Sequence, residues 1–306
     1  MYLISVYITS FNKGKYLSQA ITSVLNQSLQ PEEIIIVDDG SNDNSREIIK
    51  GFSSRYPEII KSIINENNYG IAKTRNIAIS HCKGELITFV DGEDYFFPSK
   101  LESELKIIRN GNFGCVYANH VFIDEFNNKL KYFSDKDDSP SEGNIFLENF
   151  TRTFNVSSGS NFHNEMFYKN NAIEIGMYDE NIKIWEDWDF RIRMSKKYQY
   201  GYCNEVNSAY RKYSDGLHNS DIKLHFREQI KIYNKNKPLT ADLINEERAI
   251  ISNRVYAKIK YLFLEIIRKS IQEKKIFQAI INSLYFILTF KTRKSISTAY
   301  KALIKN

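Results

Sequence analysis

Residues 85–94 read Glu-Leu-Ile-Thr-Phe-Val-Asp-Gly-Glu-Asp, an apolar run that ends in acidic residues. The run is short and rich in strand-forming residues, which predicts a central strand buried on both faces of an α/β sheet. Ligands of open α/β sheets bind outside the carboxyl ends of the strands, so Asp91, Glu93 and Asp94 are candidates for a site. Their hard oxygen atoms suit Mg²⁺ or Mn²⁺, and such an ion suits a diphosphate. The alternative is a surface turn, which is the commoner meaning of an Asp-Gly tetrapeptide.

The first forty residues predict a strand, a helix and a second strand. The first strand ends near Thr9, and residues 34–37, Ile-Ile-Ile-Val, form the next one before Asp38 and Asp39. Between the strands, apolar residues recur every three or four positions, as in an amphipathic helix. A right-handed crossover makes the strands parallel and brings Thr9 and Asp39 to one edge of the sheet. The loop after the first strand has a single glycine, which excludes a dinucleotide-binding Gly-x-Gly-x-x-Gly motif.

The alternation of helices and strands continues through the first two thirds of the chain. A polar turn at residues 65–70 leads into a short helix that carries Arg75 towards the strand ends. An exposed arginine is usually only a solvated charge, but this one is placed to meet a phosphate or a base. The other predicted elements are a helix at 45–56, strands at 59–64 and 116–120, a helix from 101 to 110, a strand pair within 121–133 that turns at Asn127-Asn128, and a strand at 166–168.

A second acidic stretch, Trp185-Glu186-Asp187-Trp188-Asp189, opens another predicted helix. If the helix lies at the surface, Asp187 and Arg191 form only an ordinary ion pair one turn apart. If the helix begins at the site, adjacent carboxylates between two tryptophans have raised proton affinities, as a general base requires. The residues alone leave both interpretations open.

Taken together, these motifs resemble those of the family 2 inverting glycosyltransferases of GT-A fold. The matching segments, in the family's order and spacing over about residues 1–220, are Thr9-Ser10-Phe11-Asn12, Val37 to Ser41, Gly70 to Ala78, Asp91 to Asp94, Gly176 to Glu180 and Glu186-Asp187. The resemblance implies a Rossmann-like mixed α/β sheet flanked by helices, with a C-terminal helical extension. It also implies a nucleotide-sugar donor, usually UDP-linked.

The resemblance assigns roles to individual residues. In nucleotide-sugar binding, Thr9, Phe11 and Asp39 would hold the base and ribose, with Asp38 beside them. Arg75 would lie close to the nucleotide, and Asp91 and Gly92 would contribute from the acidic motif. The metal, Mn²⁺ or Mg²⁺, would be held by Glu93 and Asp91. Asp187, with Glu186 beside it, would take a proton from the acceptor hydroxyl, and the configuration of the sugar would invert.

Two positions depart from the family pattern. Glu93 stands where the family usually has aspartate, and its carboxylate is one methylene longer but still an oxygen ligand. Arg211-Lys212-Tyr213 replaces the Arg-x-His that is often found, and His218 is the candidate to replace that histidine as a metal ligand. A lone histidine in a loop is more often only solvated.

The end of the chain forms a basic helical region. Residues 251–306 hold 12 Lys and Arg against two Glu, a charge of +10, so the first 250 residues carry −5 of the net +5. We predict a catalytic domain at residues 1–225 and a helical region at 226–306, whose most apolar stretch, residues 276–290, is too short and polar to span a membrane. Its apolar faces suit an anionic membrane surface, packing on the body, or a second subunit in a homodimer. No nucleic-acid-binding module is recognisable, so nucleic acid is not an expected partner.

Composition and motifs leave two classes of function. The main hypothesis is a metal-dependent inverting glycosyltransferase that acts on a glycan or lipid-linked acceptor in the synthesis of a surface polysaccharide or similar glycan. The rival is a non-catalytic scaffold subunit that keeps the fold and binds nucleotide-sugar or glycan. Three distant cysteines and the lack of a signal peptide favour the cytoplasm, with the inner face of the membrane as a second possible place. A nucleotidyltransferase would need a glycine-rich phosphate loop, which the first strand does not have.

Overall fold

The computed structural model describes residues 3–159, 161–213, 221–273 and 275 of the 306-residue chain. The chain divides into two compact units, residues 1–214 and residues 215–306. The sequence places the boundary at residue 225, whereas the helix that spans it, Ile222–Asn236, belongs wholly to the second unit. His218, the predicted alternative metal ligand, lies outside the described residues.

The first unit alternates strands and helices along most of its length. Its strands are β1 (Ile4–Ser10), β2 (Glu33–Asp38), β3 (Ile60–Ile64), β4 (Leu86–Asp91), β5 (Tyr95–Phe96), β6 (Cys115–Ile123), β7 (Lys129–Tyr132), β8 (Met166–Tyr168) and β9 (Tyr200–Arg211). Its helices are α1 (Gly14–Leu25), α2 (Ser45–Arg55), α3 (Ile71–His81), α4 (Lys100–Asn110), α5 (Phe146–Thr151), α6 (Lys169–Glu174) and α7 (Glu186–Lys197).

The nine strands of the described residues join one mixed sheet in the order β3-β2-β1-β4-β8-β6-β9-β5, with β7 paired to β6. The pairs β1–β2, β1–β4 and β2–β3 are parallel. Strand β8 runs antiparallel to both β4 and β6. The prediction that residues 86–90 form a central buried strand is confirmed, because β4 lies between β1 and β8 and all five residues are buried.

Alternating side chains of the strands build a core on each face of the sheet. On one face Tyr7, Ile35 and Phe89 pack with residues of α3 and α7. On the other face Val6 and Ile36 pack with residues of α1, α2 and α4. Helices therefore cover both faces, which leaves the edge formed by the strand ends free for a site.

Several elements were not evident from the sequence. The sequence does not predict β9, because Asn204, Glu205 and Asn207 interrupt its apolar pattern, and β5, α5 and α6 are too short to show a period. The turn predicted at Asn127-Asn128 is confirmed, with Asn127 in a left-handed conformation, φ 68°. The strand before it is continuous from Cys115 to Ile123 rather than broken at residue 120.

The second unit is mainly helical in its described part, as predicted. Asp221 is the N-cap of helix α8 (Ile222–Asn236), and its side chain accepts a hydrogen bond from the Lys223 backbone N–H. A 3₁₀ turn at Lys237–Thr240 separates it from α9 (Asn245–Gln272), and α8 and α9 pack together through the rings of Phe226 and Phe263. No helix among the residues described is long and apolar enough to cross a membrane. The predicted apolar stretch at 276–290 lies outside these residues.

Candidate active site

Three parallel strands end together and bring the first group of predicted site residues to one edge. In the sheet register Thr9 of β1 lies beside Asp91 of β4, and Ser10 lies beside Asp38 of β2. The Thr9 hydroxyl donates a hydrogen bond of 2.7 Å to Asp91 Oδ1. The prediction that Thr9 and Asp39 come to the same edge is confirmed, since the Asp39 backbone N–H donates to the Ser10 carbonyl.

Asp38 shapes the turn at the end of β2. Its Oδ1 accepts from the Ser41 backbone N–H at 2.9 Å, and its Oδ2 accepts from the Ser41 hydroxyl. The Arg46 side chain lies 3.5 Å from Oδ1, and the Asp38 side chain is fully buried. Asp38 therefore positions Asp39 and the following loop rather than facing a ligand, because both of its oxygens are buried and bonded to Ser41.

Asp39 holds the loop at residues 65–70. Its Oδ1 accepts hydrogen bonds from the Asn65 side chain and the Tyr69 backbone N–H, and its Oδ2 accepts from the Gly70 backbone N–H, all at 2.9–3.0 Å. A carboxylate offers about four acceptor positions, so Oδ2 keeps one for a ligand N–H or hydroxyl. Phe11, one residue beyond β1, is 39% exposed and leaves a ring face open for stacking.

Arg75 joins the strand ends to the start of α7. Its Nη2 donates to both oxygens of Asp91, at 3.1 and 3.0 Å, and its Nη1 lies 3.5 Å from Glu186 Oε1. The guanidinium stacks on the rings of Phe89 and Tyr178, 4.7 and 5.4 Å from their centroids. Although Arg75 is buried, these acids hold its pKa well above the ordinary value.

Two nitrogen atoms of this arginine remain without a hydrogen bond. Nε and Nη1 are buried and find no hydrogen-bond acceptor among the described residues. Buried N–H groups of a guanidinium are almost always paired, so orphaned ones call for an explanation. An anionic oxygen, such as a diphosphate offers, would satisfy them if the side chains that cover the guanidinium shift to admit it.

Glu186 and Asp187 are the first residues of α7, and the chain enters the helix through Trp185 in a left-handed conformation, φ 68°. Asp187 Oδ2 accepts a hydrogen bond of 2.8 Å from Arg191, one helical turn later, as the spacing predicted. This is not an exposed surface pair, because Arg191 is buried and also donates two hydrogen bonds to the buried Glu165. Both sequence interpretations of this stretch therefore hold in part.

The two adjacent carboxylates differ in proton affinity. Burial raises the pKa of Glu186 to about 7, against the opposing charge of Arg75. Burial also acts on Asp187, but the charges of Arg191, Arg75 and Arg152 outweigh it and lower its pKa. The prediction of raised proton affinity is thus right for Glu186 and wrong for Asp187, because the sequence does not show that guanidinium groups from three elements converge on Asp187.

The acidic motif after β4 is paired with two residues from distant parts of the chain. Glu93 Oε1 lies 3.0 Å from Lys13 Nζ and accepts a hydrogen bond of 2.7 Å from the Tyr213 hydroxyl. Lys13 Nζ also contacts the Tyr213 hydroxyl. Tyr213 stands where the family often has histidine, so this departure places a phenol against the acidic motif. Sequence reasoning missed Lys13, although a basic residue just after a strand end was a visible signal.

Gly92 and Asp94 complete the motif in structural roles. The Gly92 N–H donates to the Thr9 carbonyl, and a Cβ added at Gly92 would lie 3.0 Å from that oxygen. Asp94 is buried and accepts from the Arg211 backbone N–H at 2.7 Å. Burial and the charges of Glu93 and Asp91 raise the pKa of Asp94 well above its ordinary value. Arg211 in turn donates to the Glu93 carbonyl and fixes the motif on β9.

The residues present fit a divalent cation only together with a ligand. The described residues contain no group of three or more His, Cys, Asp or Glu side chains placed to hold a metal ion. They do provide the Asp91 and Glu93 carboxylates at one strand end, and Mg²⁺ is commonly held by one or two carboxylates plus substrate phosphates. The donor set therefore fits an ion that is shared with a diphosphate, and it does not fit a cage built by the protein alone.

A separate cleft of about 640 Å³ lies at the opposite edge of the sheet. It is lined by Leu3 and Glu85, which precede β1 and β4, and by residues around Tyr168. Ligands of open α/β sheets bind at the carboxyl ends of the strands, and this cleft lies at the amino ends. None of the predicted site residues lines it.

Comparison with known proteins places this geometry in a family. The model of glycosyl transferase family 2 matches residues 5–215. An uncharacterised glycosyltransferase of Methanocaldococcus jannaschii is 31% identical over 244 residues, which cover 77% of this chain and 80% of that protein. The UDP-Glc:alpha-D-GlcNAc-diphosphoundecaprenol beta-1,3-glucosyltransferase WfgD of Escherichia coli is 34% identical over 122 residues, 40% of this chain and 47% of that protein.

The length of the match varies among relatives. An uncharacterised glycosyltransferase of Haemophilus influenzae is 37% identical over 131 residues, but the match spans only 52% of that protein. Among solved structures, S. aureus TarS 1–349 in complex with UDP-GlcNAc superposes with a TM-score of 0.61 at 16% identity, covering 96% of this chain and 93% of that one. This likeness confirms the predicted GT-A fold. Because the family model spans the whole strand-end site from Thr9 to Tyr213, the chain belongs to glycosyl transferase family 2.

Proposed function

We propose that this protein is an inverting glycosyltransferase that moves a sugar from a nucleotide-sugar donor, UDP-linked, to a hydroxyl group of its acceptor. One observation carries the proposal: Arg75 joins Asp91 to Glu186, and two of its buried nitrogen atoms, Nε and Nη1, have no hydrogen-bond acceptor among the described residues. A diphosphate at the strand ends would satisfy them beside the carboxylates of α7. The UDP-GlcNAc complex of TarS and the name of WfgD support UDP as the nucleotide.

The reaction is a single displacement at the anomeric carbon. Asp187 accepts the proton of the acceptor hydroxyl as the acceptor oxygen bonds to that carbon. The bond from the anomeric carbon to the diphosphate oxygen breaks, and its electron pair leaves with UDP. One carboxylate base suffices, because the sugar is never bound covalently to the enzyme, and the configuration inverts.

Asp187 suits the base better than Glu186. The Asp187 side chain is 19% exposed and Glu186 is 8% exposed, so an acceptor hydroxyl reaches Asp187 more readily. Its lowered pKa makes Asp187 the weaker base of the two but keeps its carboxylate fully ionised at neutral pH, where Glu186, with a pKa of about 7, is partly protonated. Glu186 contacts Arg75, so its carboxylate partly offsets the positive charge of the guanidinium that lies between the base and the leaving group.

The leaving diphosphate is stabilised by charges at the strand ends. Arg75 supplies a buried guanidinium there, and the ammonium of Lys13 lies beside Glu93. Asp91 and Glu93 would hold Mn²⁺ or Mg²⁺, which when bound supplies further positive charge to the phosphate oxygens.

The rival function is a scaffold subunit that binds a nucleotide-sugar or glycan without turnover. It is favoured by the pairing of Glu93 with Lys13, since a carboxylate that is already paired binds a metal ion less well. Asp187 and Glu186 argue against it, because a binding protein has no need of a half-buried base beside a buried acid at the start of a helix.

Calorimetric titration of UDP into the full chain, with and without Mn²⁺, tests the donor site. We expect binding that strengthens with Mn²⁺ and weakens in Glu93→Ala, while Glu47→Ala, an exposed glutamate of α2, behaves as wild type. A donor-hydrolysis screen then identifies the sugar. Failure of UDP and of all other nucleoside diphosphates to bind would remove the basis of the proposal.

Turnover by Asp187→Asn separates enzyme from scaffold. We expect kcat to fall by about 10² to 10⁴-fold with UDP affinity unchanged, because a general base acts on the acceptor and not on the nucleotide. Asp137→Asn, an exposed loop aspartate, is the matched control. A wild-type chain that binds UDP but neither hydrolyses nor transfers any donor sugar would support the scaffold instead.

The acceptor is a glycan or a lipid-linked glycan of a surface polysaccharide, and a lipid-linked one would bring the protein to the inner face of the membrane. The α9 helix supports this, since exposed Tyr261, Leu264 and Ile271 lie among exposed lysine and arginine side chains. Cosedimentation with anionic but not neutral vesicles is the expected result. Equal behaviour with both vesicles, together with a dimer in analytical ultracentrifugation, would assign this face to a second subunit.

A further inference from the structure

Arg152 lies beside the proposed base with its guanidinium stacked on tryptophan. It follows the short helix α5, and its guanidinium carbon is 4.1 Å from the ring centroid of Trp185 and 5.7 Å from that of Trp188. Trp185 directly precedes Glu186 and Asp187 in the chain. A cation over an indole face is held by the ring quadrupole, and here that contact fixes the guanidinium at the start of α7.

Both partners of this stack have an unusual backbone. Arg152 has φ 57° and Trp185 has φ 68°, in the left-handed region that large side chains rarely adopt. A helix commonly ends in this conformation at a glycine or asparagine, and α5 ends with an arginine instead. Strained residues that persist in pairs tend to occur at functional sites, because the surrounding structure must hold them in place.

Arg152 has no carboxylate partner among the described residues, whereas the neighbouring arginines each have two. Arg75 contacts two carboxylates, Asp91 and Glu186, and Arg191 contacts two others, Glu165 and Asp187. Within the described part of the chain, no carboxylate lies within ion-pair distance of Arg152. With its amide oxygen turned towards Arg152, Asn161 accepts from Nε and Nη2 at 3.0 and 3.1 Å, but Asn161 is neutral.

Arg152 is nevertheless close to the reacting groups. Burial lowers its pKa to about 10, and the charge of Asp187 acts in the opposite direction. Arg152 in turn contributes to the lowered pKa of Asp187. Arg152, Trp185 and Asp187 are all half-buried, so a ligand can reach all three.

We propose that Arg152 is the anion-binding residue of the acceptor subsite, and that the acceptor carries a phosphate or carboxylate group near the hydroxyl that receives the sugar. The inference rests on the proposed function and names the chemical class of its acceptor. A guanidinium that is oriented by Trp185 and Asn161 offers its remaining N–H groups to such an anion. The anion would give Arg152 a negatively charged partner, as the carboxylates already do for Arg75 and Arg191.

Tryptophan fluorescence measures binding at this place directly, because the chain has only two tryptophans and both contact Arg152. The full chain, saturated with UDP, is titrated with two pairs of probes. Methyl glucuronide is compared with neutral methyl glucoside, and glycerol 1-phosphate with glycerol. Arg152→Gln, Arg152→Lys and the exposed control Arg55→Gln are titrated in parallel, and calorimetry of UDP checks the donor site of each variant.

We expect an anionic probe to change the fluorescence saturably and its neutral counterpart not to do so. Arg152→Gln should weaken that binding by about tenfold or more, the usual cost of losing a charge-assisted hydrogen bond, and Arg152→Lys should recover part of it. UDP binding should remain unchanged in all variants. The preferred probe shows whether the anion is a carboxylate or a phosphate.

Two results would overturn the inference. One is equal binding of anionic and neutral probes by the wild-type chain, which needs no variant and cannot be confused with misfolding. The other is unchanged binding of the anionic probe by Arg152→Gln. Failure of UDP to bind would instead count against the proposed function, so the two proposals can fail separately.

Discussion

Lys13 Nζ lies 3.0 Å from Glu93 Oε1, which brings a cation from the loop after β1 to the acid of the family's metal motif. The two side chains are each 19% exposed, and the Tyr213 hydroxyl contacts both. If Glu93 ligates a divalent cation as proposed, the Lys13 ammonium and that ion compete for the same carboxylate.

This competition predicts tighter metal binding when the lysine is removed. We expect Lys13→Gln to raise the affinity for Mn²⁺ in the presence of UDP by about tenfold, since the Glu93 carboxylate is then free to ligate the ion. Electron paramagnetic resonance of free Mn²⁺ during a titration measures this affinity. Lys15→Gln is the control, because Lys15 pairs with the exposed Glu125, away from the acidic motif. Unchanged affinity in Lys13→Gln would show that the ammonium does not occupy the metal position.

Arg75 supports a different prediction, about stability. Replacing it with Gln leaves the buried Glu186 and the half-buried Asp91 without their shared cation. Breaking a buried ion pair by removing one partner costs about 3–5 kcal/mol, so we expect a loss of that order in the free energy of unfolding. Urea denaturation measures it, with Arg55→Gln as the exposed control. Arg75→Lys should lose less because it keeps the charge, and a stable Arg75→Gln protein would contradict the bridging role.

The sequence was sufficient for the elements whose pattern is local. The strands β1, β2 and β4 are short, mostly apolar runs followed at once by polar residues, so their type, their parallel order and their shared edge could be predicted. The acids at their ends could be assigned to a site for the same reason. Their partners could not all be foreseen, because Lys13, Tyr213 and Glu93 are far apart in the sequence.

The two acids at the start of α7 show why other features of the site could not be predicted from the sequence. Two acids between tryptophans predict raised proton affinity for both, and the sequence gives no reason to separate them. In the fold, Arg191 and Arg152 approach Asp187 from different elements. Glu186 lies 3.5 Å from Arg75, which is farther than the 3.0 Å between Arg75 and Asp91. Opposite pKa shifts in adjacent residues therefore arise from tertiary contacts alone.

Glu186 predicts a pH-dependent difference in stability. Its pKa is about 7 in the folded protein and near the ordinary 4.5 when unfolded, so the folded state binds more protons between these values. The contribution of Glu186 to stability is therefore present at low pH and is lost as the pH rises through about 7. We expect Glu186→Gln to gain on wild type by roughly 1–3 kcal/mol between about pH 5 and pH 8.

Thermal or urea unfolding of both proteins at several pH values measures this gain. Glu47→Gln, an exposed glutamate of α2, is the control and should follow wild type throughout. A difference between Glu186→Gln and wild type that stays constant over this range would mean that burial does not raise the proton affinity of Glu186.

Asp39 predicts a local change in the loop that borders the nucleotide site. Asparagine keeps one oxygen that can accept from the Asn65 side chain and the Tyr69 backbone N–H, but its NH₂ group then faces the Gly70 backbone N–H, which loses its acceptor. Leaving buried donors unpaired costs about 1–3 kcal/mol, enough to open the loop at residues 65–70 more often. We expect Asp39→Asn to speed amide hydrogen exchange at Tyr69 and Gly70 by about tenfold and to weaken UDP binding. Asp137→Asn should change neither, and slow exchange in Asp39→Asn would mean that the carboxylate does not hold this loop and serves the ligand alone.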